Sequence, residues 1–426
     1  MKRFLLGGAA AAASLVVFAT AAVAGASASP PALGPGTHFY VPPPEPAAQQ
    51  QIGQLTGSGD KADAALVRQM TSTPHAVWID GGSPNSARVT ALTTVNRAAG
   101  KNQMPVISLY NIPGRDCSGF SAGGATDLAS YEAWINGVAA GIGNKPAIVI
   151  LEPDSLGLLP QSDCGSTTLT DADRFTELNY AVDKLGAGAG TRVYLDGTHS
   201  AWLNTGDIAQ RLVKAGVQRA AGFYLNISNY QYASNEVSYG TWISDCITYA
   251  TQVDPGNYAG CPNQYWDGGP ATSFTGAALS PYQVWQDVPY SGNPADLTWD
   301  TAGIDSNWAS LLGSVNPTTH FVVDTSRDGL GPWNPVPKYA STTVAQDWCD
   351  PPGRGNGPTP TANTGSPLVD AFLWVKVPGE SDGSCNRGLP SKTDPEWGSI
   401  VDPAAGVWFP QQALQLAQLA NPAIAP

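Results

Sequence analysis

The chain has 426 residues, 42% of them apolar, enough for one large domain or two ordinary ones around a substantial core, which argues against a mostly disordered protein. Asp and Glu outnumber Lys and Arg 34 to 21, a formal net charge of -13, so an electrostatic grip on phosphate backbones is disfavoured and nucleic acid is a poor partner. Charged residues make up only 13%, while 47 Gly, 36 Pro and 13 Trp point to long ordered loops and aromatic surfaces suited to neutral, polar, ring-shaped ligands.

Residues 1–28 read as a secretory signal peptide: Met1-Lys2-Arg3, an apolar run to Gly25, and the small-residue exit Ala26-Ser27-Ala28. An uncleaved membrane anchor is the alternative; no other stretch is long and apolar enough to span, so no membrane contact is expected once the signal is removed. Residues 29–50 form a short Pro/Ala-rich lead-in, and 51–426 read as a single domain. Strand-like apolar runs then recur at 76–79, 106–112, 147–151, 193–195, 222–225, 320–323 and 371–377. Amphipathic, helix-like segments lie between most of them, at 60–70, 86–99, 127–140, 171–185 and 206–215. Alternating β and α at this repeat predicts an α/β fold of parallel strands with helices outside them, and continuous apolarity predicts strands buried on both faces.

Polar residues follow every strand: Trp78 and Asp80, Asp116, Glu152 and Asp154, Asp196 and His199, Asn226 and Asn229, Asp324 and Arg327, then Lys376, Glu380 and Asp382. In a β/α barrel these positions converge on one rim, where such folds keep their active sites, so a barrel is preferred over a doubly wound open sheet. Residues 231–318 are irregular and insertion-like, rich in Trp, Tyr, Pro and Gly, with Cys246 and Cys261 as a candidate bridge. Six cysteines in an exported chain favour up to three disulfides, with connectivity open. Without a C-x-x-C pair, and with the histidines scattered, no metal site and no cofactor is expected.

Gly119-Phe120-Ser121-Ala122-Gly123 matches the nucleophile pattern G-x-S-x-G. That motif needs a strand running straight into the serine and a helix leaving it at once. Here residues 113–118 intervene and the helical pattern starts only near Asp127, so Ser121 reads as a loop residue rather than a nucleophile. Carboxylates fare better. In Leu151-Glu152-Pro153-Asp154-Ser155-Leu156 two acids flank a proline at a strand exit. One such acid could merely cap a helix, but several at several exits suit glycoside hydrolysis, which uses one carboxylic acid as proton donor and, for inversion, a separate carboxylate that activates water.

The strings YNIPGRDCSGFSAGG, VILEPDSLG, VYLDGTHSAWL, NISNY, DTSRDGLGPW, DWCDPPGRGNGPTPTANTG and FLWVKVPGESDG resemble glycoside hydrolase family 6, in the right order from about Trp78 to Trp408. The resemblance implies a distorted β/α barrel of about seven strands, with its cleft at the C-terminal strand ends, and inverting hydrolysis of β-1,4-glucans. By motif, Asp154 is implied as the general acid, Asp116 as the neighbour that raises its pKa, Arg115 as the group orienting Asp116, and Asp382 as the base. Asp196 is implied as a further acid near the reacting sugar and Tyr110 as the ring that presses on it. Trp78, Trp202 and Trp348 would stack on glucose rings; His199, Asn226, Lys376 and Glu380 would bond hydroxyls; Asp80 and Ser121 join the substrate-binding group. The resemblance also implies Cys117–Cys164 and Cys349–Cys385 pairs.

In this family, chain-end specificity comes from long loops roofing the cleft. The compact segment from Cys117 to Cys164, and the closeness of Cys385 to Asp382, favour an endoglucanase; a cellobiohydrolase is the runner-up. Readings from other classes are a non-catalytic glucan-binding protein and a serine esterase acting through Ser121. The expected partner is a β-1,4-glucan, and the protein is expected to be a secreted monomer.

Overall fold

The structure is a computed structural model describing residues 33–265, 278–287, 300–339 and 346–424. The signal peptide expected over 1–28 lies outside the described residues. Among the described residues no helix is long and apolar enough to cross a membrane.

Seven strands carry the fold: β1 Val77–Ile79, β2 Val106–Leu109, β3 Ala147–Leu151, β4 Thr191–Asp196, β5 Gly222–Leu225, β6 His320–Asp324 and β7 Val369–Leu373. They pair in sequence order, and every pair is parallel. Without a reversal of strand order there is no switch point, which rules out the doubly wound alternative. The sheet curls instead. Ala76 N–H donates to the Trp374 carbonyl (2.9 Å) and Trp78 Nε1–H to the Val375 carbonyl (2.8 Å), so the two edge strands meet.

Side chains alternate across the sheet as strand pleating requires. Val106, Ile148, Ile150, Tyr194, Tyr224, Val322, Ala371 and Leu373 point inward and fill the barrel. Ile107, Leu109, Val149, Leu151, Val193, Leu195, Phe223 and Val323 point outward into the larger core under the helices. Over that core lie α3 Pro84–Ala99, α4 Leu128–Ile142, α5 Asp171–Gly186, α6 Thr205–Lys214, α7 Ala233–Thr248 and α8 Ala302–Leu312, while α1 Pro46–Ser58, α2 Lys61–Thr71 and α9 Pro410–Gln418 pack together in a separate cluster with Trp374 and Trp408. Helix α5 shows how such an element forms. Thr170 and Asp173 make a reciprocal capping box, and Leu178, Ala181, Val182 and Leu185 recur on one buried face.

In the lead-in, Phe39 is buried in a bridge with Met104, and α1 begins at Pro46, a proline suiting the first helical turn. Two expectations are corrected. The insertion-like region holds α7 and α8; α7 is buried on nearly all sides, which erases the contrast that marks a helix in sequence. Strands β2 and β7 stop earlier than their apolar runs, for one shared reason. Asn111 and Ile112 N–H groups leave the ladder for the Glu152 carboxylate (2.7 and 2.8 Å), and those of Val375 and Lys376 leave it for Asp324 (3.1 and 2.9 Å).

Candidate active site

Buried acids at the C-terminal strand ends shape the rim. Asp196, ending β4, accepts the N–H groups of Leu156 (2.9 Å) and Gly157 (3.1 Å) on one oxygen and that of Thr198 (2.8 Å) on the other. It thereby holds the turn after β3 in which Asp154 sits with positive φ (66°). Asp154 is half-buried, and Tyr110 hydrogen-bonds its side chain. Burial, then the negative charges of Asp196 and Asp116, push the Asp154 carboxyl well above the usual carboxylate range, with a smaller push from Asp382. A carboxyl so placed keeps its proton and can donate it.

Asp116 lies on a single helical turn after β2, with φ of 60°. Its carboxylate accepts the Ser121 N–H (2.5 Å); burial raises its pKa against that bond and the Arg115 charge. Arg115 knits this loop together: its guanidinium lies 4.6 Å from the Tyr110 ring centre, and it donates to the Ser121 (2.8 Å), Asp80 (2.6 Å) and Tyr110 carbonyls. Gly124, at φ 97°, lets the loop turn back, since a Cβ there would sit 1.9 Å from the Ile112 carbonyl oxygen.

Asp382 presents the opposite electrostatics. Arg327 Nη1 donates to its Oδ2 (2.8 Å), Lys376 Nζ lies 3.3 Å from Oδ1, and Tyr230 Oη (3.1 Å) and Asp350 N–H (3.0 Å) also donate. Burial alone would raise its pKa, but Arg327 and then Lys376 overrule it and hold the carboxyl at about 2. Asp350 answers from the other side, taking the Asp382 N–H (3.0 Å) and the Ser381 hydroxyl (2.6 Å), while burial and Asp382 push its own pKa to about 7. The rim thus combines a carboxyl that keeps its proton with one that stays ionised.

The remaining sequence-derived residues divide. Trp78 is half-buried and meets Tyr110 edge-on at 5.8 Å. His199 and Trp202 are neighbours at 5.5 Å; burial lowers the His199 pKa to about 3, and its Nδ1 accepts the Ala201 N–H, leaving Nε2–H as donor. Trp348 is 44% exposed and lies 6.1 Å from Phe120, itself 41% exposed. Asp80 is exposed, Ser121 half-exposed, and Lys376 donates from Nζ to the Ser381 carbonyl (3.1 Å). Glu380 is raised well above the usual range by burial and a hydrogen bond with Glu45. Two expectations change. Asn226 is fully buried, its amide committed to Gln231 and the Asp324 carbonyl, so it shapes the rim rather than meeting a sugar. Asp196, committed to three backbone N–H groups, likewise braces the Asp154 turn instead of facing a substrate. The three disulfides are Cys117–Cys164, Cys246–Cys261 and Cys349–Cys385.

Sequence reasoning did not assign roles to Tyr230, Arg327, Asp350, Glu152 or Asp324. Asp324 and Arg327 stood at a strand exit, a usable signal; Tyr230 and Asp350 carried none beyond lying inside quoted motifs.

The fold and rim define a parallel β/α barrel protein with a carboxylate-lined site at the C-terminal strand ends. The sequence profile of glycosyl hydrolases family 6 matches residues 35–420, and the chain belongs to that family. It is 29% identical over 92% of its length to endoglucanase A of Thermobispora bispora and 32% identical over 91% to endoglucanase A of Cellulomonas fimi. The chain spans 64% and 62% of the lengths of those two relatives. Relatives named "Probable 1,4-beta-D-glucan cellobiohydrolase C", from Aspergillus and Neosartorya species, match at 27% to 30% identity over 82% to 83% of the chain and 68% to 71% of their own lengths. Among solved structures, the endoglucanase Cel6 from Mycobacterium tuberculosis, in complex with methyl-cellobiosyl-4-deoxy-4-thio-beta-D-cellobioside, is 30% identical with a TM-score of 0.61, covering 90% of this chain and 97% of that one.

Proposed function

We propose that the protein is a secreted, inverting β-1,4-endoglucanase in which Asp154 protonates the leaving glycosidic oxygen. The observation that carries this reading is the pairing on one rim of Asp154, kept protonated by burial and by Asp196 and Asp116, with Asp382, kept ionised by Arg327 and Lys376. Inversion needs this division of labour between an acid and a carboxylate that assists water. A carboxylate held near pKa 2 is a weak base, so Asp382 acts through an ordered water and its charge also stabilises the oxocarbenium-like transition state. Trp78, Trp202 and Trp348 stack on glucose rings, and His199 Nε2–H and Lys376 bond hydroxyls. Export fits the three disulfides, which persist in oxidising surroundings. The protein works as a monomer without a cofactor.

Endo action agrees with the names of the endoglucanase relatives. One observation favours the cellobiohydrolase reading: Phe120 and Trp348, from two disulfide-stapled loops, touch each other. The test compares the viscosity of carboxymethyl-cellulose with released reducing ends, for the wild type and Asp154→Asn. A steep viscosity fall per new end, abolished by the substitution, is the expected result. Slow viscosity loss with accumulating cellobiose moves the assignment to chain-end action, and activity retained in Asp154→Asn overturns the acid.

A further inference from the structure

Asp154 and Asp116 lie on turns after different strands, yet the charge of one acts on the other, so the two turns must be held in register. We propose that Arg174, on helix α5, is a positioning residue that sets the spacing between these two turns; the proposal rests on the glucanase reading above. Its guanidinium is 1% exposed and reaches both turns from below. Nη1 donates to the carbonyl of Ser155 (3.1 Å), the residue after Asp154, and Nη2 donates to the carbonyl of Pro113 (2.8 Å), three residues before Asp116. The planar fork fixes the separation of its two acceptors, as a flexible ammonium does not. Glu177, one helical turn on, aligns the fork through Nε at 3.3 Å and is equally buried.

The charged and titratable surroundings are few. Glu177, Glu152 and the Tyr131 hydroxyl face the Arg174 charge, while Asp196, Asp116, Asp382 and Tyr110 face Asp154. The hydrogen bonds of Arg174 go to backbone carbonyls of the two turns, so it acts on their geometry. Arg211 braces the same turn from α6, donating to the Leu156 carbonyl (2.7 Å), but it does not reach the Asp116 loop. Glu152 also ties the two turns, its carboxylate accepting the Asn111 and Ile112 N–H groups (2.7 and 2.8 Å), but it belongs to one of them; Arg174 clamps both from a separate element, α5.

The test uses the full chain carrying Arg174→Met, Arg174→Met with Glu177→Gln so that no buried acid is orphaned, and Arg174→Lys. The readouts are kcat, KM and the pH profile of cello-oligosaccharide hydrolysis well below the melting temperature, and carbon-13 NMR titration of the Asp154 carboxyl. With the clamp gone, kcat falls about 10- to 100-fold while KM stays within about twofold, since small misplacement of catalytic groups costs this much. The Asp154 titration and the basic limb of the profile move together to lower pH, because Asp116 no longer sits close. Arg174→Lys, which can hold one carbonyl, lies between. A folded variant with unchanged kcat and unchanged Asp154 titration, and only a lowered melting temperature, overturns the proposal. An inactive wild type would sink the glucanase reading instead, and the NMR titration would still decide the role of Arg174.

Discussion

Replacing Arg327 with methionine keeps most of the side-chain volume and removes the charge nearest Asp382. Arg327 is fully buried, 2.8 Å from Asp382, stacked 4.2 Å from the Tyr230 ring centre and bonded to the Ser228 carbonyl. Removing one partner of a buried pair costs about 3–5 kcal/mol, because the other charge is stranded. Lys376 at 3.3 Å moderates this, so the lower end, about 3 kcal/mol at pH 7, is expected. The pH dependence has a definite sign. Asp382 is depressed from 3.8 to about 2 in the folded protein, so its contribution of about 2–3 kcal/mol is present above the unfolded value and disappears as pH falls through about 2. The variant's Asp382 titrates higher and lacks that acid loss, so the stability gap between the two proteins narrows as pH falls below 4. Guanidinium unfolding at pH 7 and pH 3, with linear extrapolation, measures both effects. A gap below about 1 kcal/mol at pH 7, or one of equal size at both pH values, would refute the argument.

Asp116→Asn removes a negative charge from beside Asp154, whose pKa then falls; the basic limb of kcat/KM should move to lower pH, and a limb that stays put shows that Asp116 does not act on the acid. Gly157→Ala places a Cβ 2.5 Å from the Trp202 ring, so the ring must shift; stability should drop by about 1–3 kcal/mol and KM for cello-oligosaccharides should rise severalfold, as steady-state kinetics will report. The double substitution Cys246→Ala and Cys261→Ala opens a 15-residue separation and should lower stability by about 3 kcal/mol while leaving kcat unchanged, by thermal unfolding and a parallel activity assay.

Strands such as Ala147–Leu151 were legible because burial on both faces writes an unbroken apolar run. Their ends were less so. Nothing in Asn111 or Val375 announces that a carboxylate from a neighbouring strand end will draw its N–H out of the ladder, since Glu152 and Asp324 lie 41 and 51 residues away in the chain. Helix α7 was hidden by the uniform burial of residues such as Trp242, Ile243 and Cys246, which leaves no polar stripe to read. At the site, Asp154 and Asp382 stood out because each follows a strand within a distinctive string. Arg174 did not. A charged residue in an amphipathic helical segment reads as solvent-facing, and only the fold shows its guanidinium turned inward to two carbonyls. Asp196 was visible as an acid, but its use as a backbone acceptor depends on the turn from β3 lying beside it.

The disulfide pattern bears on how the chain reaches this state. Each cysteine is joined to the next one along the chain, Cys117 to Cys164, Cys246 to Cys261 and Cys349 to Cys385. Of all the ways six cysteines can pair, this is the one obtained when every second thiol to emerge oxidises with its predecessor. On the secreted reading, delivery from the N-terminus into an oxidising compartment should produce these bridges in order of appearance, with little need of an isomerase. Refolding from the fully reduced, full-length state loses that ordering and should accumulate mispaired species that fresh synthesis avoids.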